Sequence, residues 1–223
     1  MREIVLDTET TGLDPQAGHR LVEIGCIELM NHIPTGVSKQ WYVNPQRDMP
    51  EEAFRVHGLS ADFLAKHPTF DAVADEFLAF IGEAPLVIHN AGFDMRFVNA
   101  ELDLAGRPAV PFARAIDTVA MARQKFPGAR ASLDALCQRF GIDLSGREKH
   151  GALLDASLLA EVYLELMGGR QAGLELAGQS AIVVTGEMRA TLRPARPHAP
   201  TAAEAAAHTA FIAMLKRPIW LAE

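Results

Sequence analysis

Three apolar segments lie before residue 44, and every later apolar segment is fenced off by a helical pattern. Ile4-Val5-Leu6 reads as a short strand, and Leu21 to Met30 alternates with Val22, Ile24, Cys26 and Glu28 on one side. Trp41-Tyr42-Val43, just before Asn44-Pro45, reads as a third. Successive strands joined by short loops predict an antiparallel meander. The segments at Leu86-Val87-Ile88 and near Ile116 are separated by helical patterns, which predicts parallel additions to the same sheet. Helical spacing covers Phe70 to Ile81, Met95 to Leu104, Ser132 to Phe140 with Gly141 as its stop, and Gly151 to Met167 with Gly168-Gly169 as its stop. The expectation is one mixed α/β domain of about 170 to 180 residues, without internal repeats.

The composition, 49% hydrophobic and 22% charged, is that of an ordinary globular chain and excludes collagen-like, disordered and disulfide-scaffold readings. Apolar runs such as Leu86 to Ile88 and Ala181 to Val184 fall far short of the roughly 20 residues a membrane helix needs, so no membrane partner is expected. Glu3 and Asp7 interrupt the start before an export signal's apolar region can form. Cys26 and Cys137 stand far apart without metal-ligand spacing, so a cytoplasmic protein with two reduced thiols is expected. The net charge of −7 argues against a nucleic-acid partner, because phosphate binding leaves a basic footprint. Residues 1–186 carry 25 acids against 16 Lys and Arg, whereas residues 187–223 carry 3 against 5. If some of those acids bind metal, the cation reverses the local sign and the objection weakens.

The end of the chain breaks from what precedes it. Arg193 to Pro200 holds three prolines and reads as a linker. Thr201 to Leu215 is alanine-rich and opens on Thr201-x-x-Glu204, the pattern of a capping box. Such a short helix cannot build a core of its own. The apolar residues Phe211, Ile212, Leu215, Ile219 and Trp220 point to a segment that folds onto a partner.

Asp7 and Glu9 leave the first strand two residues apart, so both carboxylates face one side. Each raises the other's cost of ionising unless a cation neutralises them. A solvated strand end and half of a Mg²⁺ or Mn²⁺ site are both compatible with that spacing. Asp94 follows the strand Leu86 to Ile88 into the first turn of a helix, where the dipole favours an acid and where active-site loops of α/β sheets collect. His150 and Asp155 reach one site only if His150 sits in the loop ahead of its helix, which Gly151 permits. Asp117 reads as a helix cap, and Asp134 and Asp143 as first-turn and loop residues.

Taken in order, Asp7-Thr8-Glu9-Thr10-Thr11-Gly12, His89-Asn90-Ala91-Gly92-Phe93-Asp94 and His150-Gly151-Ala152-Leu153-Leu154-Asp155 resemble the three motifs of the DEDDh exonuclease family. Ala53 to Gly58, Leu133 to Cys137 and Ala160 to Tyr163 extend the likeness to that family's bacterial replicative proofreading branch, over nearly the whole chain. The resemblance implies a ribonuclease H-like α/β fold: a five-stranded mixed sheet flanked by helices, with a flexible C-terminal tail. It implies an exonuclease domain over 1–170, a clamp motif and Pro-rich linker over 171–200, and a polymerase-binding helical tail over 201–223.

By the same resemblance, Asp7, Glu9 and Asp155 hold two divalent cations, Mg²⁺ or Mn²⁺, with Asp94 assisting and His150 as general base. Glu52, His57 and Phe93 line the pocket for the DNA 3′ terminus, and Thr10, Thr11 and Gly12 offer backbone contacts. The implied reaction is 3′ to 5′ hydrolysis releasing nucleoside 5′-monophosphates, in the service of proofreading. Gln171-Ala172-Gly173-Leu174-Glu175-Leu176 resembles a sliding-clamp-binding peptide lacking the final Phe, so Gln171, Leu174 and Leu176 are expected on the beta clamp. Phe211, Ile212, Leu215 and Trp220 are expected on the DNA polymerase III alpha (catalytic) subunit, and a small accessory subunit is a further implied partner. Two readings compete: a stand-alone exonuclease trimming RNA or short oligonucleotides, which has no evident use for such a tail, and a bridging module without catalysis, which has no need of clustered carboxylates.

Overall fold

The computed structural model describes residues 1–146, 149–169 and 199–215. The chain divides into two units, Met1–Leu176 and Ala177–Glu223. In the first, strands β1 (Arg2–Thr10), β2 (Leu21–Met30), β3 (Ile33–Tyr42), β4 (Leu86–Ile88) and β5 (Ala115–Asp117) form one sheet in the order β3-β2-β1-β4-β5. The β1–β2 and β2–β3 pairs are antiparallel, while β4 joins β1 and β5 joins β4 in parallel. That is the mixed sheet the sequence predicts. The helices of this unit are α1 (Glu51–His57), α2 (Ala61–Leu64), α3 (Phe70–Ile81), α4 (Ala91–Leu104), α5 (Thr118–Lys125), α6 (Leu133–Phe140) and α7 (Ala152–Leu166).

Strand alternation sorts the core into two layers. Ile4, Leu6, Leu86 and Ile88 pack with Phe70, Phe77, Met95 and Val98 of α3 and α4. Val5 and Val87 pack on the opposite face with Leu136, Leu159 and Val162 of α6 and α7. The same alternation continues past the apolar stretch of β1: Asp7 and Glu9 fall on the α7 side, and Thr8 on the α4 side. Helix α7 is held at both ends. Near its C-terminal end, the Tyr163 hydroxyl donates to the wholly buried Glu3 at 2.7 Å; at its start, Gly25 of β2 leaves just enough room for the Ala152–Leu153 backbone.

Four elements depart from the sequence reading. Strand β3 begins at Ile33 rather than at Trp41, and its first eight residues are exposed; Pro34 and Gly36 weaken the strand signal, as an edge strand tolerates. Helices α1 and α2 are one to two turns long, too short for an apolar period to show. Helix α4 starts four residues before Met95, because Asn90 takes a left-handed backbone (φ 67°) that turns the chain straight from β4 into it.

The second unit contains α8 (Ala202–Met214), closed at its start by the expected capping box between Thr201 and Glu204. Phe211 and Leu215 are exposed and Ile212 is buried; adjacent helical residues point about 100° apart. Gln171, Leu174, Leu176, Ile219 and Trp220, and the domain boundary at 170, lie outside the described residues.

Candidate active site

The five residues expected to carry chemistry come from three separated segments and meet at the carboxyl end of β1. Asp7 and Glu9 arrive on β1, Asp155 on the first turn of α7, and Asp94 on the first turn of α4. His150 sits in the loop ahead of α7, with its Nδ1 3.1 Å from Asp155 Oδ2. Ligand atoms of Glu9, His150 and Asp155 lie within 4.8 Å of one another. Asp7, His150 and Asp155 line a cleft of about 240 Å³ together with His89, Ser132 and Asp134. Asp134 does occupy a first helical turn, and it also faces this cleft. Asp117 caps α5 by accepting the Val119 N–H at 2.9 Å, and Asp143 accepts the Ser145 N–H in its loop.

The electrostatics of this cluster are unfavourable for the chain alone. The Asp7 carboxyl is held well above its usual range, first by desolvation and then by Asp94, Glu9, Asp155 and Glu23. Burial pushes Asp94 up to about 7, against the lowering effect of the hydrogen bond it accepts from Thr8 Oγ1 at 2.7 Å. Oxygen-rich donors with one imidazole suit a hard divalent ion such as Mg²⁺ or Mn²⁺. An ion there compensates the charges that otherwise disfavour ionisation, so the residues present fit a divalent metal.

Next to the carboxylates lies a larger cavity of about 500 Å³, which brings together Thr10, Thr11, Gly12, Glu52, His57 and Phe93, all six residues expected to contact substrate. Helix α1 supplies Glu52 and His57, and its Val56 carbonyl accepts the His150 backbone N–H at 3.2 Å, so one helix borders both the cavity and the imidazole. His57 is buried, and that burial lowers its pKa. Its Nδ1 accepts the Leu59 N–H at 3.0 Å, which leaves the ring proton on Nε2.

Thr8 and Glu23 carry no signal in sequence that marks them for this site. Thr8 lies on the face of β1 opposite its acidic neighbours, and for that reason it meets Asp94, which approaches on α4. Glu23 is 2% exposed and pairs in register with Glu9. Desolvation raises its pKa, opposed by Gln40 and by the backbone N–H groups of Ala152 and Leu153 at the start of α7. An anion there favours the helix terminus that carries Asp155.

The raised carboxyls fix the sign of the metal-free protein's pH response. Asp94 titrates near 7 in the folded state and near 3.8 as a free carboxyl, so between those values the folded chain binds more protons than the unfolded one. This contribution to stability is therefore present at low pH and is lost as pH rises through about 7. His57 and His89, whose pKa values burial lowers, act oppositely, so Asp94→Asn is the needed comparison. In EDTA, the unfolding temperature of wild type relative to Asp94→Asn will fall between about pH 5.5 and about pH 8. A pH-independent difference would refute the assignment.

Comparison with known proteins gives concordant results. The exonuclease (RNase T) family model matches residues 4–163. The DNA polymerase III epsilon subunit of Rickettsia conorii is 55% identical over 186 residues, 82% of this chain and 81% of that one. The epsilon subunit of Escherichia coli K12 is 50% identical over 177 residues, 76% of this chain and 72% of that one. Among solved structures, exonuclease X in complex with 5′ overhanging duplex DNA superposes with a TM-score of 0.60 at 25% identity, covering 74% of this chain and 90% of that one. The nuclease domain of 3′hExo, a DEDDh family member bound to rAMP, reaches 0.65 at 20% identity over 74% of this chain and 91% of that one.

Proposed function

This chain belongs to the exonuclease family that includes the DNA polymerase III epsilon subunits, and from that premise we propose that it removes misincorporated nucleotides from DNA 3′ ends by metal-dependent hydrolysis, releasing nucleoside 5′-monophosphates. One observation carries the reading at the level of chemistry: four carboxylates and an imidazole from distant segments converge beside a cavity of nucleotide size.

Asp7, Glu9 and Asp155, with Asp94 beside them, are the residues that would hold two divalent ions. Bound there, the ions supply charge neutralisation at the scissile phosphate and activation of water for in-line attack. Thr8 fixes the Asp94 carboxylate through its hydroxyl. The contact between His150 Nδ1 and Asp155 Oδ2 directs the Nδ1 proton to the carboxylate, and this leaves Nε2 as the basic nitrogen that takes the proton of the attacking water. Phe93, at the cavity wall, offers a ring for the terminal base; stacking of that kind is sequence-tolerant, as removal of any misinserted nucleotide requires. Preference for mismatched ends then follows from their lower cost of unpairing and needs no side chain that reads bases.

Association with the polymerase follows from kinship with the epsilon subunits. The clamp contact is assigned to Gln171, Leu174 and Leu176, and the alpha-subunit contact to Phe211, Ile212, Leu215 and Trp220, which would act in the cytoplasm; a small accessory subunit completes the proposed assembly. Tethering raises the local concentration of nuclease at the primer terminus, so an acidic chain needs little affinity of its own for DNA. The test is mononucleotide release from a primer-template with a 3′ mismatch and from an RNA of the same sequence, in Mg²⁺, Mn²⁺ and EDTA. Mismatched DNA will be degraded faster, and only with metal. Preference for RNA would overturn the proofreading role, and no cleavage of either would leave a bridging module.

A further inference from the structure

The exonuclease reading leaves open where the rest of the strand lies once its terminal nucleotide is seated. Three cavities of this unit follow one another through neighbouring or shared lining residues. The terminal-nucleotide cavity includes Glu9 and Phe93, the next cleft holds Asp7, His150 and Asp155, and that cleft shares His89 and Ser132 with a third groove of about 480 Å³. The third groove is lined by Arg123, from the last turn of α5, and Arg130, from the loop leading into α6. Both arginines are exposed. Among the described residues no acidic side chain lines this groove, in contrast to the cleft beside it.

A strand entering an acidic cleft by its 3′ end meets carboxylates that repel every phosphate, and a net charge of −7 provides no general attraction to offset this. Local cations have to hold the phosphates that follow the scissile one. Guanidinium groups suit that task, because they stay charged and engage phosphate oxygens in a planar, bidentate fashion. They also carry no sequence preference, since the phosphate is the same in every nucleotide. We propose that Arg123 and Arg130 form a binding track for the phosphodiester backbone on the 5′ side of the scissile bond. This assignment rests on the exonuclease reading and adds to it a direction: the terminal nucleotide lies toward Phe93, and the remaining strand leaves over His89 and Ser132 toward the arginines.

The test compares two substrates of the full-length protein in Mn²⁺. The p-nitrophenyl ester of thymidine 5′-monophosphate has the scissile phosphodiester and no nucleotide beyond it, while a single-stranded DNA oligonucleotide occupies the track. Arg123→Ala and Arg130→Ala will leave turnover of the ester within about twofold of wild type. Each will raise KM for the oligonucleotide about tenfold, and each will lower the salt dependence of binding by roughly 0.7 in the log–log slope. Unchanged KM and salt slope on the oligonucleotide would overturn the track. Equal losses on both substrates would also overturn it, because they would place the arginines at the reacting centre or in the fold. A wild type that cleaves neither substrate would instead overturn the exonuclease reading, and the track with it.

Discussion

Asp7→Asn will reduce metal-dependent removal of 3′ nucleotides by at least about a thousandfold, and in EDTA it will unfold at a higher temperature than wild type. The two effects share a cause. Asp7 stands among Asp94, Glu9, Asp155 and Glu23, and desolvation together with those charges holds its carboxyl well above the ordinary range. Ionising Asp7 in the folded chain places an anion where anions are least favoured, which costs stability when no cation is present. Asparagine keeps the shape and removes the charge, so the metal-free fold relaxes. A gain of roughly 1 kcal/mol corresponds to about 2–4 °C in a chain of this size. In the proposed mechanism the same exchange removes a charged oxygen from the residues that would hold the cations, and the transition-state stabilisation those cations would supply is lost with it. Adding Mn²⁺ will raise the melting temperature of wild type more than that of the variant, since ligand-linked stabilisation scales with affinity. Two measurements settle it: an exonuclease rate and a thermal melt in EDTA at about pH 8, where the wild-type carboxyls are most ionised. A variant with wild-type turnover, or one that melts below wild type in EDTA, would break the link between charge crowding and function.

Much of this site is legible in the sequence, because its parts are short and locally determined. An apolar triplet followed by Asp-x-Glu places two carboxylates on one face by strand geometry alone. Gly151 marks the loop that lets His150 reach Asp155, and the 3.1 Å contact shows that both converge. The meander and the parallel additions follow from where helices interrupt the strands. The residues that escape sequence reasoning act across the fold. Thr8 looks like a spacer between two acids until α4 is seen to approach from the other side of the sheet. Glu23 looks like a polar residue in a half-exposed strand, yet it is buried against the start of α7. Arg123 and Arg130 are seven apart in sequence and acquire a shared role only where α5 and the loop before α6 border one groove.

Gly25→Ala will lower the unfolding temperature by about 10 °C and reduce the exonuclease rate about a hundredfold at temperatures where the variant remains folded. Gly25 sits opposite Asp7 in the β1–β2 register. A Cβ at this position would lie 2.3 Å from the Ala152 carbonyl carbon and 2.4 Å from the Leu153 nitrogen. Those are backbone atoms at the start of α7, so no rotamer change can relieve the clash, and carbon atoms need about 3.5 Å to rest in contact. The helix must therefore retreat from the sheet by about 1 Å or more. That helix carries Asp155 and adjoins His150, whereas Asp7 and Glu9 stay with β1; the displacement separates the two halves of the proposed metal site directly. Gly92, in the motif that carries Asp94, gives the contrast. It lies in helix α4, and a Cβ there would meet nothing within 4 Å, so Gly92→Ala will stabilise by roughly 0.5–1 kcal/mol through helix propensity. If Gly25→Ala melted and turned over like wild type, the close seat of α7 on β2 would not be what holds Asp155 in register with Asp7. A variant that lost stability but kept full turnover when cold would show that the site tolerates a shift of α7 that the fold does not.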